Sequence, residues 1–151
     1  MLADFQQALA DMTASPRLCT EARFDPDLLK RKYELTEREW LRLVAIVQHQ
    51  GMECACIVYR ANRLAPLALN IPKTCKALGS ELRAVVSEFW DKFPETNVHF
   101  FVETDRFCRF LKAKMAEGWT FAPGVEPALR LESAAVAAAL QESYTEQGAE
   151  A

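Results

Sequence analysis

Apolar residues return every three or four positions along almost the whole chain, and no stretch sustains the period-two alternation of a half-buried strand. The stripes Leu2-Phe5-Leu9-Met12, Trp40-Leu43-Val44-Val47 and Leu82-Val85-Val86-Phe89-Phe93 each mark one helix face. Two later stripes, Phe100-Phe107-Cys108-Leu111-Met115 and Leu129-Val136-Leu140-Tyr144, do the same. A chain so patterned buries helices against helices, and the expected fold is mainly α, an irregular multi-helix bundle.

Punctuation between the stripes sets the element boundaries. Ser15-Pro16 caps a second helix, with proline at the first position, where a missing N–H does no harm. Asp25-Pro26 repeats the device and opens a short helix through Leu28 and Leu29 towards Tyr33. Leu35-Thr36-Glu37-Arg38-Glu39-Trp40 reads as a capping box with a hydrophobic staple from Leu35 to Trp40. Gly51 ends or bends that helix, and the pattern resumes through Met52, Cys56 and Tyr59 until Pro66. Pro72 begins another helix, Gly79 supplies its αL C-cap, and Ser80 caps the one that Pro94 stops. A long helix follows Thr96 and closes at Gly118, a turn or short extended segment occupies 119–125, and a last helix starts at Pro127. The expected organisation is one helical partner-binding domain over 1–144 and a flexible tail over 145–151.

Composition narrows the function. With 151 residues, 50% of them hydrophobic, the chain buries a core without disulfides or structural metal. A net charge of −3 gives no footprint for phosphate backbones, and Lys30-Arg31-Lys32 sits among Asp25, Asp27, Glu34, Glu37 and Glu39. No apolar run approaches a membrane span, and the first residues lack the basic-then-apolar order of a signal peptide. Five cysteines scattered through helical patterns suit buried thiols in a reducing cytoplasm, the expected location.

Candidate chemistry is thin. Cys54 and Cys56 are two apart and point about 200° apart on a helix, so they share no metal, and no zinc spacing accompanies them. No nucleophile elbow or phosphate loop is present, so neither catalytic nor metal residues are assigned. Arg60 and Arg63 flank Asn62 on adjacent turns, suited either to a partner's carboxylate or to acidic neighbours such as Glu53 or Glu103. The segment from Asn97 to Phe110 is the densest polar-aromatic stretch. There His99 and Glu103 lie four apart, with Arg106 three further on and Asp105 four before Arg109. It reads as an intrahelical network or as an interaction face.

Tyr59-Arg60-Ala61-Asn62-Arg63 with Leu64-Ala65-Pro66-Leu67, and Phe89-Trp90 through Pro94 and Asn97–Phe101 to Asp105–Leu111, carry a family resemblance. They resemble accessory (C-type) subunits that pair with multinuclear non-heme iron oxidases in ribosomal peptide natural-product pathways, as in methanobactin biosynthesis. That grouping overlaps proteins described as DNA-binding modules. The resemblance implies a heterodimer whose partner carries the iron and oxidises cysteines of a precursor peptide. This chain would bind the oxidase, help hold the precursor's leader and contain no cofactor itself.

The expected function is therefore a non-catalytic accessory subunit, with Arg60, Asn62, Arg63, Asn97, His99, Glu103, Asp105 and Arg106 as partner- or peptide-binding candidates. Expected partners are an iron-dependent oxidase and a precursor leader, with no nucleic acid and no membrane. One alternative is a small DNA-binding regulator with a helix-turn-helix in Pro26–Gln50. Another is a small helical subunit of a ring-cleaving dioxygenase, which shares Leu-Thr-x-x-Glu openings like that at Leu35.

Overall fold

The computed structural model describes residues 2–96 and 99–149. Within them the chain is all-helical: α1 (Leu2–Ala14), α2 (Pro16–Phe24), α3 (Asp27–Lys32), α4 (Glu37–Gln48), α5 (Gln50–Asn70), α6 (Pro72–Leu78), a 3-10 turn (Gly79–Glu81), α7 (Leu82–Lys92), α8 (Phe100–Ala116) and α9 (Val125–Ala149). No described residue is in a strand, and 119–124 is irregular chain and turn. None of these helices is long and apolar enough to cross a membrane. Two compact units divide the contacts, 1–62 and 63–151, with the boundary inside α5.

The first unit buries Met12 of α1, Leu18 and Cys19 of α2, Leu29 of α3, Leu43 and Val47 of α4, and Met52 and Cys56 of α5. Its sharpest local feature follows from Pro16. The Met12 carbonyl would accept from the N–H of residue 16 in a continuous helix, and proline has none. Two thiols replace it: Cys19 Sγ donates at 3.0 Å and Cys56 Sγ at 3.4 Å, leaving the sulfurs 3.9 Å apart. Ser15 caps α2 through its hydroxyl, and Thr36 with Glu39 completes the capping box of α4. Trp40 is half-buried rather than interior. Its indole N–H donates to the Pro26 carbonyl at 3.0 Å, and the Lys30 ammonium stands 3.8 Å from the ring centroid.

The second unit centres on aromatics. Phe89 of α7 meets Phe107 at 5.2 Å and Phe110 at 5.5 Å, with Leu67, Ile71, Leu78, Leu111, Val125, Leu129 and Val136 around them. Gly118 ends α8 with φ +93°. The N–H of Gly118 donates to the Met115 carbonyl and that of Trp119 to Lys114, the paired bonds of a Schellman motif. α6 lacks a side-chain cap of its own, and α9 supplies one. The buried Glu132 carboxylate accepts from the backbone N–H groups of Lys73 (2.9 Å) and Thr74 (2.8 Å) and from the Thr74 hydroxyl (2.7 Å).

Four boundaries differ from the sequence reading. α5 runs through Pro66, because that proline and Leu67 pack inside, while the carbonyl that loses its helical donor belongs to Asn62, an exposed residue. Ser80 lies within the 3-10 turn and caps nothing, while Gly79 has positive φ (+52°) with ψ −122°, outside αL. α9 starts at Val125, so Pro127 sits in its first turn, where its absent N–H is again harmless. The same helix continues to Ala149, past Tyr144.

Candidate functional site

The residues singled out from sequence fall into a buried set and an exposed set. Arg63 and Glu103 form the buried set, at 2% and 0% exposure. Arg63 Nε donates to Glu103 Oε1 at 2.7 Å, and Nη1 reaches the Pro94 carbonyl at 3.3 Å. The guanidinium also lies 5.6 Å from the Phe89 ring centroid and 5.9 Å from that of Trp90. One side chain of α5 thus ties together α8, the segment after α7 and the aromatic core. The pairing is not saturated: Arg63 Nη2 and Glu103 Oε2 are buried without a hydrogen-bond partner among the described residues.

A second polar tie lies two turns further along α5, at the residue after Glu103 on α8. Asn70 Nδ2 donates to the Thr104 hydroxyl at 3.1 Å, and that hydroxyl reaches the carbonyls of Phe100 (2.8 Å) and Pro66 (3.2 Å). Of the two acidic neighbours open to Arg63, Glu103 is therefore the one used; Glu53 pairs with Arg23 at 2.7 Å. The network that sequence spacing placed within one helix runs instead between α5 and α8.

The His99–Glu103 pairing does not form. α8 begins at Phe100, leaving His99 in extended backbone as its N-cap without a side-chain cap bond, and the Glu103 carboxylate is taken by Arg63. His99, Asn62 and Arg106 are exposed, and Arg60 is half-buried. Asp105 pairs with Arg109 at 2.8 Å, as their four-residue spacing predicts. Asn97 lies outside the described residues.

Beside the exposed set is a cleft of about 620 Å³, lined by Lys92, Phe93, Glu95, Arg106, Arg109 and Phe110 among others. Of these, Arg106 alone is a site candidate on sequence grounds. The Arg106-Arg109 spacing of one turn was the available signal, but nothing in the sequence showed that the end of α7 would stand opposite.

Cys54 is exposed and Cys56 buried, on opposite sides of α5 as their spacing requires. Burial pushes the Cys19 thiol up to about 12, with the neighbouring Cys56 adding to the effect. Burial also raises Cys108 to about 12 and Cys75 to about 11, the latter helped by Glu132. These thiols stay protonated near neutrality and behave as small apolar groups. Among the described residues no three His, Cys, Asp or Glu side chains gather to hold a metal ion.

Comparison with protein-family models, with curated proteins and with solved structures gives no match.

Proposed function

We propose that this chain is a non-catalytic accessory subunit that binds an iron-dependent, peptide-modifying oxidase and helps it engage a precursor peptide. The observation that carries the partner-binding part is the outer face of α5. Cys54, Ile57, Val58 and Ala61 follow the i, i+3, i+4, i+7 spacing of one helix face, and all are exposed. Ile57 is 68% and Val58 59% accessible, an apolar stripe of the kind an amphipathic helix presents to a partner's groove. It leads directly into Tyr59–Arg63, one of the two stretches that carry the family resemblance. The oxidase as partner, its iron and the leader peptide rest on that resemblance.

The DNA-binding alternative has less support. In Pro26–Gln50, Lys30 pairs with Glu37 at 2.7 Å and Arg31 pairs with Asp25, so two cations a recognition surface would use are already neutralised.

The test is co-production with an oxidase of the multinuclear iron class encoded beside this chain, followed by affinity purification, mass spectrometry and iron analysis. A stoichiometric, iron-bearing complex is expected, lost in Ile57→Glu/Val58→Glu while the isolated variant keeps its helicity. An oxidase that neither binds the chain nor changes activity in its presence overturns the reading.

A further inference from the structure

The cleft beside α8 combines an aromatic wall with cations on one helix face. Arg106, Arg109 and Ala113 are spaced i, i+3, i+7, so one side of α8 lines it, with the small Ala113 leaving room between the guanidiniums and the next turn. Opposite stand Lys92, at the end of α7, and Phe93, Pro94 and Glu95 after it. Phe93 and Phe110 meet edge-to-face at 6.4 Å, and the Lys92 ammonium lies 6.0 Å from each ring centroid.

The charges are unequally used. Arg109 is held by Asp105 at 2.8 Å. Among the described residues Arg106, which is exposed, forms no ion pair, and Lys92 reaches the two rings and no carboxylate. Glu95 adds one negative charge at the rim. What is left over is one guanidinium supported by one ammonium, beside a partly open phenylalanine. Bidentate guanidinium recognition suits a single carboxylate, and the exposed part of Phe93 suits an apolar side chain next to it. A polyphosphate backbone, which spreads several charges along the cleft, would meet the Glu95 carboxylate as well, which repels it.

The geometry points to a binding site for an acidic peptide segment: the cleft formed by Lys92, Phe93, Arg106, Arg109 and Phe110 takes a carboxylate side chain flanked by an apolar one. The site uses none of the residues of the apolar face of α5. A chain that fails to bind an oxidase but binds such peptides retains this site, and the converse result removes the site alone.

Short fluorescent peptides in a Gly-Ser background test it by anisotropy with the full chain, at low and moderate salt. One set places Glu beside Phe or Leu; the controls carry Gln or Lys in place of Glu, or Gly in place of the apolar residue. Binding is expected for the Glu-Phe and Glu-Leu peptides, weakened by salt and by about tenfold or more in Arg106→Glu. Amide shifts of isotope-labelled protein should cluster over residues 92–113. Arg106 is exposed, so Arg106→Glu is expected to leave the melting temperature near that of the parent; Ala113→Trp, which fills the cleft without changing charge, gives an independent block. Equal binding of the Lys or Gln controls, insensitivity to both variants, or no binding at millimolar peptide overturns the proposal. Single-stranded DNA that binds with the same dependence on Arg106 also overturns it, reassigning the cleft to nucleic acid.

Discussion

At the scale of single residues, the Arg63–Glu103 pair decides most. Burying two charges is costly, and their attraction offsets that cost only while both are present. Glu103→Gln keeps the shape but strands the Arg63 guanidinium in the interior, so a loss of about 3–5 kcal/mol is expected, measured by urea denaturation. The double variant Arg63→Met/Glu103→Leu removes both charges and should recover much of that loss, with Pro94 giving up one donor to its carbonyl. A double variant less stable than Glu103→Gln would mean that the pair itself, rather than the stranded charge, dominates. Thiol chemistry belongs to this scale too. Cys54 is the exposed cysteine, whereas burial raises Cys19, Cys75 and Cys108. Alkylation of the native protein near pH 8 should therefore modify Cys54 first, half-buried Cys75 more slowly, and buried Cys19, Cys56 and Cys108 only on the timescale of opening; mass mapping of the adducts reads the order.

Helix ends carry the energetics at the scale of elements. Ser15→Ala should cost about 1 kcal/mol by removing the α2 cap. Glu132→Ala should cost more, about 1–3 kcal/mol, because it leaves the buried N–H and hydroxyl of Thr74 without an acceptor. Thermal melts of the two variants side by side give the comparison, and a smaller effect for Glu132→Ala would show that water replaces the carboxylate. These two caps also mark what was legible. Ser15, the Thr36 box and Gly118 were readable because cap and helix are adjacent in sequence, and the stripes through Leu43, Phe89 and Phe107 named core residues for the same local reason. Glu132 was not readable, since it reaches Thr74 across 58 positions and nothing near either residue encodes the meeting. Pro66 misled because a proline signal reports local preference, whereas interior packing of Pro66 and Leu67 carries the helix past it. Within the candidate site, the Asp105–Arg109 pair followed from charge and spacing, whereas Glu103 was one of two acidic partners open to Arg60 and Arg63. The cleft did not, being made when α7 and α8 come together. His99 differed by a single residue: with α8 beginning at Phe100, the four-residue spacing to Glu103 no longer lies within one helix.

At the scale of the whole molecule, alkaline pH is the condition that acts on both units at once. Cys19 lies in the first unit, Cys75 and Cys108 in the second, and burial raises all three from an ordinary value of 9.0 to between about 11 and about 12. Tyr33 moves in the same direction, through burial and its 2.6 Å hydrogen bond to Asp11. The sign follows from proton counting. Below pH 9 these thiols are protonated folded and unfolded, so they leave stability unchanged with pH. Above it the unfolded chain releases protons that the folded one retains, and rising pH favours unfolding until the folded values are passed. Stability should thus hold up to about pH 9 and then fall, by on the order of 1 kcal/mol for each of Cys19 and Cys108 over the first unit above it. Urea midpoints under reducing conditions at pH 7.5, 9 and 10 measure the slope. Cys19→Ala/Cys108→Ala starts from lower stability, having lost packing and one donor to the Met12 carbonyl, but its decline above pH 9 should be shallower than the parent's. Parallel declines in the two proteins would mean that other groups, Tyr33 among them, set the alkaline limit.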